Sequence, residues 1–204
     1  MTEQSVWNKN WAAWKEDFKP SPFAEKAFKL MKIKDMHDVL DLGCGKGRNS
    51  LYFAANGMNV TAMDISDEAL KTVEALRHPK IRTVCADVSK SDLEPERYDA
   101  VFACLSLHYF GDAVTRSVID KVHRSLRAGG LFFIRCKSVR DKSYGVGEKV
   151  GEDMYFDEWT RHFFRPEYMT DVLSGFETAA VSETEEDYFG LCHFVDGIAV
   201  KASS

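Results

Sequence analysis

Short apolar runs alternate with segments of helical periodicity along most of the 204-residue chain. Continuous apolar runs bounded by turn residues are typical of buried strands, and apolar positions three or four residues apart are typical of helices. Val118, Val122 and Leu126, for example, follow Val114 at four-residue steps. The pattern predicts seven strands, at 39–42, 59–63, 81–85, 100–104, 131–134, 176–181 and 191–200.

Helices are predicted between most of these strands from their capping residues. Ser66 is a typical N-cap for a helix that runs to about Arg77, and Asp112 is typical of the next one. Glycine commonly ends helices, and Pro suits their first turn. On these signals we expect helices from Asn49 to Asn56, ended by Gly57, from Asp112 to Gly129-Gly130, and from Pro166 to Gly175.

Alternating strands and helices indicate a mostly parallel sheet with helices on both faces. The last two strands have no helix between them, which predicts an antiparallel pair at the edge of the sheet. Trp7 to Leu30 is predicted to be a helical cover, either packed on the sheet or lying over a ligand. We expect a single domain, with a cover at 1–36, a core at 37–204 and an insertion at about 137–165.

Composition limits the partners. The net charge of −5, with both signs mixed along the chain, gives no indication of nucleic-acid or anionic-membrane binding. The N-terminus resembles no secretory signal and no apolar run is long enough to span a membrane, so a cytoplasmic protein is expected. The spacing of metal-binding cysteines is absent, and no metal site is expected. The five cysteines are at 44, 85, 104, 136 and 192.

The segment Asp41-Leu42-Gly43-Cys44-Gly45-Lys46-Gly47 places three glycines directly after a predicted strand and before a helix. Such a loop permits a tight turn and lets a ligand approach the backbone at the carboxyl end of the sheet. A dinucleotide fingerprint requires its third glycine at position 48, which is Arg48. A triphosphate-binding loop requires Ser or Thr after Gly-Lys, where Gly47 stands.

The string Val39 to Gly47 closely resembles the first motif of the class I S-adenosylmethionine-dependent methyltransferases. The resemblance implies a Rossmann-like, doubly wound α/β fold and S-adenosyl-L-methionine as cofactor. It puts the glycine loop beneath the methionyl part, Asp41 near the ammonium group, Asp64 at the ribose and Asp87 near the adenine. The full set of cofactor-binding residues implied is Asp41, Gly43, Cys44, Gly45, Gly47, Asn49, Asp64, Ile65, Asp87, Val88, Leu105 and Ser106.

Two later segments bear on the methyl acceptor, which we expect to be a small molecule. The segment around His108 resembles the family region that lines the methyl-transfer site, although His108 is also consistent with a buried core histidine. Ser143 to Glu148 and Arg161 to Phe164 resemble the tellurite-resistance-like branch of bacterial small-molecule methyltransferases. The catalytic candidates are therefore Tyr144, Arg161, His162 and His108.

Arg161 is suited to pair with an anionic acceptor, and His162 to remove a proton near neutral pH. The alternative for both is an ordinary surface cluster. Two other functions stay open at this point: a nicotinamide-dependent oxidoreductase, which shares the sheet architecture, and a non-catalytic S-adenosylmethionine-binding domain, because fold alone does not guarantee activity.

Overall fold

The computed structural model describes residues 2–14, 18–187 and 190–203. Its ten strands are β1 (Asp38–Leu42), β2 (Asn59–Asp64), β3 (Ile81–Cys85), β4 (Tyr98–Cys104), β5 (Leu126–Lys137), β6 (Glu148–Gly151), β7 (Met154–Phe156), β8 (Thr160–His162), β9 (Thr178–Asp187) and β10 (Leu191–Val200). Its helices are α1 (Glu3–Ala13), α2 (Pro22–Ile33), α3 (Arg48–Ala55), α4 (Asp67–Ala75), α5 (Asp112–Ser125) and α6 (Pro166–Val172), with a 3₁₀ turn at Leu107–Tyr109.

Seven strands form the main sheet in the order β3-β2-β1-β4-β5-β10-β9. The first five run parallel, while β10 is antiparallel to both β5 and β9. The predicted Rossmann-like, mostly parallel sheet with an antiparallel edge region is therefore confirmed. The antiparallel strand is β10, second from the edge, and β9 is the edge strand.

Helices cover both faces of the sheet. Successive residues of a strand point to opposite faces, and Phe102 and Phe133 pack beneath α2 and α3, whereas Val101 and Phe132 pack beneath α5 and α6. All four of these side chains are fully buried. This two-sided burial explains why the central strands are continuous apolar runs.

The prediction that Gly129-Gly130 ends the fifth helix is wrong. α5 ends at Ser125, and Leu126 already has the extended backbone of β5, at φ −75 and ψ 142. A Cβ at Gly130 would lie 2.8 Å from the Arg127 carbonyl oxygen, so this glycine serves a close backbone approach within the strand. Val114, predicted on the apolar face of this helix, is 39% exposed.

The predicted N-terminal cover consists of two helices, and its residues 15–17 lie outside the described part of the chain. α2 has its own start signal, because the Ser21 hydroxyl accepts the Ala24 N–H at 3.1 Å and Pro22 occupies the first turn. α2 packs in the core, whereas no residue of α1 is fully buried. The two helices therefore have different roles in the fold.

β6, β7 and β8 form a separate antiparallel sheet of three short strands after β5. It lies within the segment predicted as the acceptor-side insertion. The ninth strand begins at Thr178, two residues later than predicted, because Phe176 packs in the core behind α6. Among the described residues, no helix has the length and apolar character needed to cross a membrane.

Candidate functional site

The glycine loop joins the carboxyl end of β1 to α3. Gly43, Gly45 and Gly47 have φ values of +74, +55 and +81, a region that residues with a Cβ rarely adopt. The N–H groups of Gly43 and Cys44 donate to the Met63 carbonyl at 2.8 and 3.0 Å. The loop is therefore held against the end of β2.

Asp64, the last residue of β2, is connected to this loop through its carboxylate. Its Oδ2 accepts the Gly45 N–H at 2.8 Å, and its Oδ1 accepts the Ser66 N–H at 2.9 Å. Burial raises the pKa of Asp64, although the hydrogen bonds from Ser66 and Gly45 act in the opposite direction. Ile65 follows directly and is partly buried. A carboxylate with this placement has the chemistry to accept ribose hydroxyls.

Asp41 is the second buried carboxylate near the loop. It is 2% exposed, and its Oδ2 accepts the Ser50 hydroxyl at 2.6 Å. Burial raises the pKa of Asp41 to about 7, the hydrogen bond from Ser50 lowers it, and the nearby Asp64 carboxylate raises it further. Two carboxylates in a dry environment favour a cationic ligand, because a positive charge offsets the cost of their burial.

The loop after β3 contains Asp87 and Val88. The Asp87 carboxylate accepts the Ser89 N–H and hydroxyl at 3.0 and 2.6 Å and pairs with Lys90 at 2.7 Å. These bonds lower the pKa of Asp87, although desolvation, the largest single effect, acts to raise it. Lys121 donates to the Val88 and Ser89 carbonyls at 3.0 and 3.1 Å. The loop is thereby fixed beside the end of β3.

Leu105 and Ser106 follow β4, and Ser106 lies against the glycine loop. Leu105 has φ +58, an unfavourable conformation for a leucine, and its N–H donates to the Arg135 carbonyl at 2.9 Å. The Ser106 hydroxyl donates to the Leu42 carbonyl at 2.8 Å. A Cβ at Gly43 would lie 2.4 Å from the Ser106 Cβ, so this close approach requires glycine.

Two further predicted cofactor residues, Cys44 and Asn49, have structural contacts here. The Asn49 Oδ1 accepts the Ser21 N–H at 3.0 Å and its hydroxyl at 3.2 Å, which fixes the start of α2. Cys44 is partly buried in the loop, and burial raises the pKa of its thiol well above the usual range. Their contacts with a cofactor stay predictions.

Helix α1 lies across this edge of the sheet. A Cβ at Gly45 would meet the Trp11 indole at 2.5 Å, so the ring rests directly on the loop. One turn earlier, the Asn8 side chain accepts the Ser66 hydroxyl at 2.6 Å and donates to Asp67 at 2.7 Å. α1 therefore covers the carboxyl ends of β1 and β2, and the Trp11 indole fills the space above Gly45.

His108 lies in the 3₁₀ turn after β4. It is 2% exposed, and its buried Nδ1 has no hydrogen-bond partner. Burial lowers the pKa of His108 well below the usual range, and the cations Arg161 and Lys137 lower it further. The imidazole is therefore neutral at physiological pH, and its surroundings disfavour protonation.

Three aromatic rings meet beside His108 from separate parts of the chain. The Trp7 ring centroid is 4.6 Å from that of Tyr109 and 6.0 Å from that of Trp159. Tyr109 and Trp159 are 6.4 Å apart, and the His108 ring is 4.2 Å from Tyr109. We call Trp7, Tyr109 and Trp159 the aromatic cluster. It connects α1 to the small sheet.

Arg161 and His162 are adjacent in β8, so their side chains point to opposite faces of the small sheet. Arg161 lies over the Trp159 ring, 5.9 Å from its centroid. His162 packs against Phe164 and Tyr168, at 5.0 and 4.7 Å between ring centroids. Burial lowers the pKa of His162, while its hydrogen bond to the Phe110 backbone raises it. The sequence alone does not show that these two neighbours have different surroundings, but their positions in the strand do.

Tyr144, the fourth catalytic candidate, belongs to a different group of contacts. Its hydroxyl donates to Asp153 at 2.6 Å, and the same carboxylate pairs with Arg165 at 2.6 Å. The Tyr144 ring packs on Tyr155 and Phe163. Its hydrogen bond to Asp153 raises the pKa of Tyr144 to about 12. The contacts of Tyr144 do not include His108 or the aromatic cluster.

Several residues that shape the site were not among the predicted site residues. Asn8, Trp7 and Trp159 are far from the glycine motif in sequence, and only the tertiary fold brings them to it. One signal was available for Trp7 and Trp11, since they are four residues apart and lie on the same face of a helix.

The seven-stranded sheet, the glycine loop after its first strand and the acidic residue ending the second define the architecture of class I S-adenosylmethionine-dependent methyltransferases. The sequence agrees, because residues 39–130 match a family described as "Methyltransferase domain". Residues 39–130 are thus a methyltransferase domain, and the fold around them is that of the class I S-adenosylmethionine-dependent methyltransferases, whose cofactor is S-adenosylmethionine.

Similar proteins carry methyltransferase names. An uncharacterized methyltransferase of Synechocystis is 30% identical over 110 residues, which are 54% of this chain and 51% of that protein. A probable S-adenosyl-L-methionine-dependent methyltransferase, TehB, of Haemophilus influenzae is 28% identical over 106 residues, or 50% of this chain and 37% of its own length. The chain thus spans about half or less of the length of these relatives.

The fold is also that of solved structures. The structure of the 1,6-didemethyltoxoflavin-N1-methyltransferase of Burkholderia thailandensis, with bound 1,6-didemethyltoxoflavin and S-adenosylhomocysteine, superposes with a TM-score of 0.74. The superposition covers 97% of this chain and 84% of that one, at 20% identity. At this identity, the likeness concerns the fold.

Proposed function

We propose that this chain transfers the methyl group of S-adenosylmethionine to a small-molecule acceptor by in-line displacement. The observation that carries the proposal is the hydrogen bond from the Gly45 N–H to Asp64 at 2.8 Å. This bond joins the backbone of a glycine in the loop to a carboxylate that is suited to bind a ribose diol. The net charge of −5 and the close cover of α1 over the loop favour a small acceptor rather than a nucleic acid.

The residues around the loop fit the cofactor. Gly45 has no Cβ, and the Trp11 ring lies in the space that a side chain there would fill. We assign the methionyl part to Gly43, Cys44, Gly45 and Gly47, with Asn49 close behind them, and its ammonium group to Asp41. We assign the ribose to Asp64 and Ile65. We assign the adenine to Asp87 and Val88, next to Leu105 and Ser106.

When bound, S-adenosylmethionine supplies a sulfonium methyl group: the acceptor's lone pair forms the new bond to carbon while the carbon–sulfur bond breaks and its electron pair stays on sulfur. The chain's own contribution is positioning and exclusion of water, which is worth up to about 7–11 kcal/mol in well-oriented reactions. α1 and the aromatic cluster exclude water from this edge of the sheet.

An acceptor that carries a proton must also lose it. We assign a hydrogen bond to that proton to His108, since its imidazole is neutral and its Nδ1 is buried without a partner. Arg161 is assigned to binding the acceptor. His162 and Tyr144 remain catalytic candidates. Their described contacts are with other parts of the small sheet and its neighbours.

Calorimetric titration with S-adenosylhomocysteine tests the cofactor site, and incubation with methyl-labelled S-adenosylmethionine and fractionated small-molecule extracts tests the transfer. We expect binding of the cofactor product and label in an extract fraction. Binding of a nicotinamide cofactor instead would contradict the proposal. Tight binding with no labelled acceptor in any fraction would indicate the non-catalytic alternative.

A further inference from the structure

The aromatic cluster has no role in cofactor binding among the assignments above. Its rings come from α1, from the 3₁₀ turn and from the residue before β8, and their centroids are 4.6 to 6.4 Å apart. Aromatic pairs at such distances prefer offset or edge-to-face arrangements. The three side chains are only partly buried, so another flat molecule can reach part of their surface.

Arg161 supplies an uncompensated charge beside this cluster. Its Nε is buried and has no hydrogen-bond partner, and within the described ranges Arg161 forms no ion pair with a carboxylate. In contrast, Arg135 pairs with Asp196 at 2.7 Å and Arg165 with Asp153 at 2.6 Å. An arginine with a buried, unsatisfied donor is unusual, because such a donor costs stability unless a ligand satisfies it.

His108 gives the second, independent observation. His108 is only 2% exposed, and its Nδ1 lacks a hydrogen-bond partner. Its ring centroid is 4.2 Å from that of Tyr109. Unpartnered polar atoms on Arg161 and His108 thus flank the aromatic cluster on two sides. Both are satisfied by a molecule that brings hydrogen-bond acceptors to Arg161 and a hydrogen-bond donor to His108.

The charge of that molecule follows from Arg161. Aromatic rings are also known to bind cations, but the cation position over Trp159 is already taken by the Arg161 guanidinium, 5.9 Å from the ring centroid. A second cation there is repelled. A carboxylate or similar anion is attracted, and the planar guanidinium can hold it with two parallel hydrogen bonds.

We propose that the methyl acceptor is a planar aromatic molecule bearing an anionic group, with its ring against Trp7, Tyr109 and Trp159 and its anion on Arg161. This inference rests on the proposed methyl transfer. The proposed acceptor site requires α1, because Trp7 belongs to that helix. The acceptor therefore lies against the same helix that covers the cofactor loop.

The test uses three probes of one shape and different charge: 2-naphthoate, neutral 2-naphthamide and cationic 2-naphthylmethylammonium. Each is titrated calorimetrically into the protein saturated with S-adenosylhomocysteine. We expect 2-naphthoate to bind at least tenfold more tightly than the amide, and the cation to bind most weakly. Equal binding of the anion and the amide, or tighter binding of the cation, would overturn the inference.

Variants then assign the preference to particular residues. Arg161→Gln should reduce the preference for the anion to within about threefold, whereas Arg161→Lys should keep most of it. Arg140→Gln is the matched control, because Arg140 is exposed and pairs with Glu183 at 3.2 Å. Trp159→Leu should weaken the anion and the amide alike, by tenfold or more. Unchanged 2-naphthoate binding in a folded Arg161→Gln variant would contradict the proposed site.

The first titration separates this inference from the function on which it rests. If S-adenosylhomocysteine binds but no probe shows a charge preference, only the acceptor class is wrong. If S-adenosylhomocysteine itself does not bind to the wild-type protein, the proposed function fails and the acceptor inference fails with it. Circular dichroism of each variant is the control that tests whether the fold is retained.

Discussion

The Gly45 N–H donates to Asp64 Oδ2 at 2.8 Å, so the residue that ends β2 holds the loop that follows β1. The other oxygen of the same carboxylate accepts the Ser66 N–H. Asp64 therefore does two things at once: it fixes the backbone of the glycine loop, and it presents a negative charge at the edge of the sheet where ligands bind in such folds.

Asp64→Ala should weaken binding of S-adenosylhomocysteine by roughly a hundredfold or more. Each hydrogen bond to a charged group contributes about 1.5–3 kcal/mol, and a ribose diol offers two. Calorimetric titration measures the change. Asp87→Ala is the control and should have a smaller effect, since Asp87 is mainly paired with Lys90. Binding within about threefold of wild type would remove Asp64 from the ribose site.

Gly45→Val should abolish cofactor binding while the protein stays folded. Gly45 has φ +55, and a Cβ there would lie 2.5 Å from Trp11. A valine would therefore strain the backbone, and its side chain would fill the space above the loop. Gly57→Ala is matched for backbone strain, because Gly57 has φ +96 but nothing within 4 Å of a Cβ. A Gly45→Val variant that binds S-adenosylhomocysteine normally would show that the loop is only a turn.

Asn8→Ala should speed the release of S-adenosylhomocysteine about fivefold. Asn8 forms hydrogen bonds with Ser66 and Asp67 at 2.6 and 2.7 Å, and a net loss of about 1 kcal/mol in the closed state corresponds to that factor. Stopped-flow tryptophan fluorescence follows the release. Lys9→Ala, at the exposed neighbouring position, should release the ligand at the wild-type rate. Equal rates in both variants would argue against α1 as a cover.

Asp41 should make cofactor affinity depend on pH near neutrality. Burial raises the pKa of Asp41 to about 7, so the carboxylate forms as the pH rises through that value, and it then attracts the cofactor's ammonium group. We expect affinity for S-adenosylhomocysteine to increase between about pH 6 and 8 in the wild type. The increase should be absent from Asp41→Asn, and parallel profiles for the two proteins would contradict this role.

The stability of the ligand-free protein should change in the opposite direction. The folded state of Asp41 binds its proton more tightly than the unfolded state, so the free energy of unfolding falls as the pH rises from about 4 to 7. The loss is at most about 4 kcal/mol, at about 1.4 kcal/mol for each pKa unit. Asp41→Asn should therefore unfold at a higher temperature than wild type at pH 8, as calorimetry can measure.

His108→Asn and His162→Asn should have different effects. His108 has a buried, unpartnered Nδ1 beside the aromatic cluster, and its loss should lower turnover while affinity for S-adenosylhomocysteine stays within about threefold. His162 packs on Phe164 and Tyr168, so its replacement should mainly lower the unfolding temperature. Steady-state kinetics with a labelled methyl group and thermal unfolding separate the two. Loss of affinity for S-adenosylhomocysteine in His108→Asn would place His108 in the cofactor site and contradict its assignment to the acceptor.

Much of the fold follows from local sequence signals. Ala100 to Cys104 and Leu131 to Ile134 are continuous apolar runs because their strands are covered on both faces, and this makes them recognisable without tertiary information. The glycine loop is equally local, since the backbone angles of Gly43, Gly45 and Gly47 are needed by the turn itself.

What the sequence did not reveal depends on tertiary contacts. Gly129-Gly130 has the composition of a helix end, yet Gly130 is required because Arg127 and Asp99 approach it within strand pairing. Arg161 and His162 have compatible chemistry and adjacent numbers, but a strand of only three residues sends them to opposite faces. Alternation along a strand can be predicted only once the strand has been recognised.

The position of β10 bears on how the sheet is assembled during synthesis. β10 pairs with β5 on one side and with β9 on the other, so β9 has no neighbour in the main sheet until residues 191–200 have left the ribosome. Until then, the backbone of β5 on that side and the whole of β9 are unpaired strands, which are prone to join other chains. β10 is thus the strand that joins β9 to the rest of the sheet, and the nascent chain depends on it for protection from aggregation.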